Sequence, residues 1–383
     1  MRRATITLTA ALLALAGRRA GAQTLDLYQG TVMGSPRIVA MGGTAAAVSE
    51  DMTATPATAA AMAFRPSGAT DWWDWDFYAD TLLASRDTDL TNSGLPASPD
   101  RPVSAGAGGA CMYFGKWGVA VSGAGVSYGL PPAAAAAPPM TLSVDGSQLT
   151  VGRPFVDGRL GLGVSLAVGE FSIRQGDATL FDMTAVSFAG GVSLRLPDKP
   201  WRAGLSGRLP TISGSVTNNC AEPTSCSGFV PPTAGEMPWQ LGGGFAWRFG
   251  PSAWNQPRQT LFRDERALVV TADVAVIGPV TGGMSVAGFA AQMPQASGRT
   301  VDVSARFGAE AEVVPARLRV RAGSYWEPER IAGRGGRVHG TLGAELKLFV
   351  FSFLSRERRA RLALAGDVAD RYQNIALSLG FWH

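Results

Sequence analysis

Two-residue alternation dominates the chain. From Leu160 the bulky residues Leu162, Val164, Leu166 and Val168 share one parity, with Gly161, Gly163, Ser165, Ala167 and Gly169 between them. From Asp302 the split is sharper. Val303, Ala305, Phe307, Ala309, Ala311 and Val313 oppose Asp302, Ser304, Arg306, Gly308, Glu310 and Glu312. Leu318, Val320 and Ala322 then oppose Arg317, Arg319 and Arg321. Leu342, Ala344, Leu346, Leu348 and Val350 oppose Thr341, Gly343, Glu345 and Lys347. Successive side chains of a strand point to opposite faces, so each segment predicts a strand with one apolar and one polar or small face.

Alternation suits a soluble sandwich as well as a barrel; strand length and connection rhythm separate them. Fourteen strands are predicted, at 72–85, 103–114, 117–128, 140–151, 158–173, 180–196, 201–216, 236–249, 266–278, 301–313, 316–327, 338–351, 360–367 and 372–382. Most have the roughly 10 residues a tilted strand needs to cross a bilayer, against about 5 or 6 in soluble sheets. Short connections (Gly115-Lys116, Arg153 to Asp157, Pro197 to Pro200, Val314 to Ala316) alternate with long ones (86–102, 129–139, 217–235, 279–300, 328–337). That is the short-turn, long-loop pattern of an outer-membrane barrel with both termini periplasmic. Segment 250–265 is the misfit, a long connection on the short-turn side. The expected fold is an all-β transmembrane antiparallel β-barrel, residues 72–383, with aromatic girdles from Trp72, Trp73, Trp75, Phe77, Tyr78, Tyr325, Trp326, Phe381 and Trp382.

Composition agrees. The 383 residues include 48 glycines and only 17% charged residues, where soluble proteins carry about 25%. The net charge of +4 is too small to argue for nucleic acid. Arg2 and Arg3, the apolar run Ala4 to Gly17 and the small Ala20-Gly21-Ala22 read as a cleaved export signal over 1–22. Of three cysteines, Cys220 and Cys226 are spaced to close a small disulfide loop in an oxidising compartment, and Cys111 is left over. No metal site or cofactor is expected. With His339 and His383 the only histidines, hydrolase chemistry of the Ser–His kind has no base to build on.

Residues 23–71 do not alternate. They are too apolar for a disordered tail, are read as unable to add strands, and fit best inside the lumen as a short helical plug. Their stretch Gly34-Ser35-Pro36-Arg37-Ile38-Val39-Ala40-Met41-Gly42-Gly43-Thr44-Ala45, with Glu50-Asp51 and Ala54-Thr55-Pro56-Ala57 after it, resembles the hatch of the FadL family of outer-membrane transporters and the related PorV-like barrels. Met237 to Gly244 and Val320 to Pro328 are similar to internal strands of the same family. Where the family has Asn-Pro-Ala, this chain has Thr55-Pro56-Ala57. The resemblance implies fourteen strands, a hatch and passive uptake of a hydrophobic small molecule or fatty acid. Its hatch and ligand candidates here are Gly34, Arg37, Met41, Gly42, Gly43, Asp51, Pro56 and Met62.

Two further candidates come from the strands. Gly123 and Gly125 could kink the third strand and open the wall sideways. Arg306, Glu310, Glu312, Arg317, Arg319, Arg321, Glu345 and Lys347 form a lumenal charge set of both signs, expected to pair as a network. The expected partners are outer-membrane lipid and an apolar ligand. The rival reading is a PorV-like barrel that docks a secretion or surface protein.

Overall fold

The computed structural model describes residues 24–28, 30–48, 50–66, 72–84, 88–95, 103–130, 140–176, 178–218, 232–256, 262–290, 293, 295–353 and 356–383. The export signal, the Cys220–Cys226 pair and most of the loops 86–102, 129–139 and 217–235 lie outside them.

A short strand, β1 (Thr24–Asp26), precedes the wall. The wall begins with β2 (Trp73–Ala84), β3 (Ser104–Phe114), β4 (Trp117–Leu130), β5 (Met140–Phe155), β6 (Leu160–Gln175) and β7 (Ala178–Arg195). The seventh crossing is split into β8 (Trp201–Arg208) and β9 (Thr211–Asn218), and the eighth into β10 (Ala234–Met237) and β11 (Gln240–Phe249). Next come β12 (Ala267–Ile277), a loop strand β13 (Gly283–Ser285), β14 (Asp302–Val314), β15 (Leu318–Glu327), β16 (Arg337–Phe353), β17 (Arg356–Ala369) and β18 (Tyr372–Phe381). Counting each split crossing once gives the fourteen expected, and β18 pairs with β2 from Gly380↔Tyr78 to Asn374↔Ala84, which closes the ring.

Several bounds differ from expectation. The split crossings break at Leu209-Pro210 and Pro238-Trp239, because proline has no N–H for the ladder. Around the first break Leu209 N–H still reaches Phe188 O at 2.9 Å and Ser187 Oγ donates to Leu209 O at 2.8 Å. The fourth crossing runs to Phe155 rather than 151. The thirteenth covers Arg356–Ala369 rather than 360–367. Its arginines stay in strand because they have partners: Arg358 pairs with Asp74, and Arg359 with Asp264 at 2.7 Å.

The outward parity is apolar, with Val164 65% exposed and Phe188, Leu205, Phe307, Leu342 and Ile375 also exposed. Such a continuous apolar surface is untenable in water and is what a bilayer requires. Trp72, Trp117, Phe155, Trp247 and Phe249 ring the short-turn end, where amphipathic aromatic rings favour a lipid–water boundary. Tyr78, Tyr325, Phe381 and Trp382 depart from the expected girdles. All four are buried, and Trp382 lies under Arg319, 4.0 Å from the guanidinium. Among the described residues no helix is long and apolar enough to cross a membrane.

The segment up to Arg65 fills the lumen. Helix α1 (Pro36–Ala40) starts at Ser35, whose Oγ accepts from Ile38 N–H, with proline preset at its first turn. It stops at Gly42 and Gly43, both at positive φ, whose N–H groups return to Val39 O and Ile38 O at 3.0 and 2.8 Å. That left-handed cap is the physical content of the Met-Gly-Gly pattern. Two 3-10 turns follow, Met52–Ala54 and Ala59–Ala63.

Much of the glycine content now has a reason. Inward-facing Gly118, Gly152, Gly163, Gly191, Gly204 and Gly308 each leave a space where a Cβ would collide with plug backbone. The plug is seated on bare wall.

The plug also contributes a strand, against expectation. β1 pairs in parallel with β10, which the Pro238 break separates from β11, and with the loop strand β13, both at the long-loop end. The described plug thus starts at the long-loop end, at Thr24, and reaches the short-turn end by Arg65, whose guanidinium donates to Gly115 O. A second helix, α2 (Val286–Ala290), folds into that mouth. Leu25, Leu90, Met140, Phe171, Val286 and Phe289 seal it as one apolar cluster. At the short-turn end the misfit segment after Phe249 turns inward, and Trp254 and Asn255 are buried against Arg202.

Candidate functional site

Between plug and wall lies a cavity of about 450 Å³, the size range of small-molecule pockets. Leu27, Val32, Met33, Ile38, Leu82 and Phe171 give it an apolar body. Of the eight plug candidates, Gly34, Gly43 and Pro56 line this cavity. Met41, Gly42 and Met62 instead pack against the wall, and Arg37 and Asp51 join ion pairs below.

Behind the cavity the wall is thin. Gly106, Ala107, Gly123, Ala124, Gly125 and Gly146 carry nothing larger than a methyl, and a groove of about 440 Å³ indents the wall at the same residues. The expected kink is absent: β3–β4 and β4–β5 pair without a register shift through Gly123 and Gly125. The real breaks, at Pro210 and Pro238, lie round the wall from there. Glycine is tolerated here within a straight ladder because cross-strand hydrogen bonds do not need side chains.

Below the cavity the plug is tied down by charge. Arg37 holds Glu310 through two hydrogen bonds of 3.1 Å and reaches Asp51 at 3.5 Å. Arg321 bridges Glu310 at 2.6 Å and Glu345 at 2.8 Å. Arg319 adds Glu312 at 3.0 Å and Glu345 at 3.4 Å, and Arg361 also reaches Glu345. Three of the eight charges expected in this set behave differently. Arg306 donates to Gly43 O at 3.1 Å, which also anchors the plug, whereas Arg317 and Lys347 make no side-chain hydrogen bond or ion pair among the described residues. Arg317 is exposed in the turn before β15.

Two more anchors had no sequence signal beyond parity. Glu50 sits between Arg202 and Arg195, the latter at 3.2 Å. Asp26 receives Arg330 at 2.8 Å and Ser297 Oγ at 2.7 Å, while Arg330 also holds Asp302 at 2.6 Å. His339 is buried between Glu327 and Asp367, 2.8 Å from each, and Tyr325 OH donates to Asp367 while accepting from Val32 N–H. All are contacts between residues distant in sequence, and only folding reveals them.

Burial alone would push the Glu50 carboxyl up, but Arg202 and Arg195 hold it well below the usual carboxylate range. A depressed carboxylate stabilises the fold above its unfolded pKa, and that stability is lost as pH falls toward the folded value. Glu50→Gln is therefore expected to cost about 1–3 kcal/mol at neutral pH, less than a sealed pair because a quarter of the Glu50 side chain (25%) is exposed. Melting temperatures of wild type and variant should differ by a constant amount from pH 8 to about 5 and converge below about 4. A gap that widens in acid would contradict this assignment.

No protein-family model matches the chain, and no curated protein matches it in sequence. Its fold does match solved structures. The toluene transporter TbuX of Ralstonia pickettii aligns with TM-score 0.55 at 14% identity, covering 91% of this chain and 97% of that one. A Pseudomonas aeruginosa FadL homologue aligns with TM-score 0.51 at 13% identity, covering 92% and 99%. The P. putida toluene transporter TodX gives 0.51 at 14%, covering 92% and 98%. At these identities the likeness establishes the fold: this chain is built as the FadL-type barrels are.

Proposed function

We propose that the chain is an outer-membrane barrel for passive uptake of small hydrophobic molecules, with residues 24–66 as its gate. The observation that carries this reading is the largely apolar cavity between plug and wall, bounded among the described residues by an apolar cluster toward the loop end and by ion pairs toward the turn end. A water-filled porin needs an open lumen, and a purely structural barrel needs no cavity. The fold neighbours are named as hydrocarbon channels and transporters rather than enzymes, which supports the same direction. Ligand entry is placed at the glycine-thin wall, where cavity and groove share residues. Release toward the periplasm then requires the plug to shift, since the ion pairs close that end.

The test is binding of apolar probes to the protein refolded in lipid nanodiscs. Toluene and decan-1-ol should bind saturably to the full chain. Binding should be lost in a variant lacking 33–66, and also in a full-length variant carrying Val32→Trp and Ile38→Trp, which fills the cavity without removing the plug. Failure of the intact protein to bind either probe would sink the uptake reading.

A further inference from the structure

His339, one of two histidines in the chain, stands fully buried at the long-loop end of β16. Its Nδ1 lies 2.8 Å from Asp367 Oδ1 and its Nε2 lies 2.8 Å from Glu327 Oε2, and both carboxylates are buried. Tyr325 stacks on the ring at 4.1 Å, and Tyr372 meets it edge-on at 5.1 Å. Arg337 is the second partner of Glu327, at 2.5 Å. These side chains, drawn from β15, β16, β17 and β18, are the titratable and charged groups that face the ring. The plug brings backbone to the same place. Val32 N–H donates to Tyr325 OH at 3.2 Å, and a Cβ on Gly30 would fall 2.2 Å from Glu327 Oε1.

An ionised carboxylate only accepts hydrogen bonds, and a neutral imidazole has a single N–H. Contacts to carboxylates at both ring nitrogens therefore call for the doubly protonated ring. The charges then balance, His339 and Arg337 against Glu327 and Asp367. Loss of the ring proton turns a lone pair toward a carboxylate and leaves one buried negative charge uncompensated. The consequence reaches the plug along a chain of hydrogen bonds, from His339 to Asp367, to Tyr325 OH and to Val32 N–H. Gly30, Thr31, Val32 and Met33 are also lining residues of the cavity. The turn-end anchors at Arg37 and Glu50 involve other partners altogether.

We infer that His339 is a proton-operated latch on the loop-end half of the plug. With the ring doubly protonated, residues 30–33 are held to the wall; loss of the proton frees them. Closing binds a proton that opening releases, so the open form gains as pH rises. The latch belongs to the plug whatever the barrel carries, and its control of the cavity rests on the uptake reading.

Hydrogen–deuterium exchange of the full chain in nanodiscs decides it, corrected for the intrinsic pH dependence of amide exchange. The series runs from about pH 6 to about 10, starting below the ordinary imidazole pKa of about 6.5. Protection of residues 30–33 should fall by up to about tenfold per pH unit, the slope of one linked proton, and then level off. Protection of residues 50–64, anchored at the turn end, should not follow it. His339→Gln offers a donor on one side only, as neutral imidazole does, and should leave 30–33 poorly protected at every pH. Asp367→Asn should keep them protected at every pH, because its amide can donate to the neutral ring while its carbonyl still accepts from Tyr325. A flat wild-type profile would overturn the latch, as would a pH-dependent fall that survives in both variants. The association rate of decan-1-ol, followed alongside, should rise with the loss of protection. If 30–33 respond and decan-1-ol binds at no pH, the latch stands and the uptake reading falls.

Discussion

Replacing Arg321 with methionine is expected to destabilise the protein by about 3–5 kcal/mol, the cost of stranding buried charge. The Arg321 side chain is 1% exposed and is shared by Glu310 and Glu345. Removing it leaves two carboxylates on the two strands that flank β15, with Arg37 as the remaining partner of the first and Arg319 and Arg361 of the second. Because Arg37 belongs to the plug, the effect should not stop at the wall. Limited proteolysis should cut the plug at protease levels that leave wild type intact, and the melting temperature should fall. The variant Arg321→Met/Glu310→Gln/Glu345→Gln should recover much of the loss, since it removes the stranded charges as well. A change below about 1 kcal/mol in the single variant would show that water reaches these groups and screens them.

The second large effect belongs to Gly163. A leucine there must place its Cβ where the Ala59 carbonyl now lies, so the 3-10 turn Ala59–Ala63 cannot stay seated. Overpacking of a formed interface costs about 1–3 kcal/mol, and backbone on the other side leaves little room to yield. The wall itself should tolerate the change, because leucine is a good lumenal filler once the plug has moved and Gly163 keeps both ladder partners, Gly152 and Gly191. The expected result is a barrel that keeps its heat-modifiable migration on gels while its plug becomes protease-sensitive. Loss of the barrel along with the plug would mean that plug and wall fold as one unit.

How far this was legible follows from which forces are local. Parity is local, so Leu162, Val164 and Leu166 announced a lipid-facing side, and fourteen crossings could be counted. The glycines at 161, 163 and 169 were visible as a small face, yet nothing in β6 says that Ala59 presses on one of them. Pro210 and Pro238 were plain in the sequence, but alternation resumes on both sides and hides each break. β1 has no signature of its own, since three residues become a strand only because β10 and β13 offer open edges. The site divides the same way. Gly42 and Gly43 as a helix cap and the pairing of Glu310 with Arg321 could be anticipated. That Asp26 meets Arg330 could not, because it depends on where the plug and a distant loop come together.

The threaded plug also constrains how the molecule can be assembled. The chain meets the loop end at Thr24, beside Gly283 and Ala234, and leaves the turn end at Trp72, where Gly115 N–H binds its carbonyl. Between these points it is encircled by a ring whose last seam joins the first wall strand to the final one. Synthesis therefore delivers the enclosed segment before the strands that enclose it. Once Tyr78 and Gly380 have zipped, residues 24–66 could enter only by pushing a free end through a lumen already lined with its partners. The machinery that inserts this barrel must hold that seam open until the segment is in place, so order of closure, as much as final stability, decides whether a gated or an empty ring results.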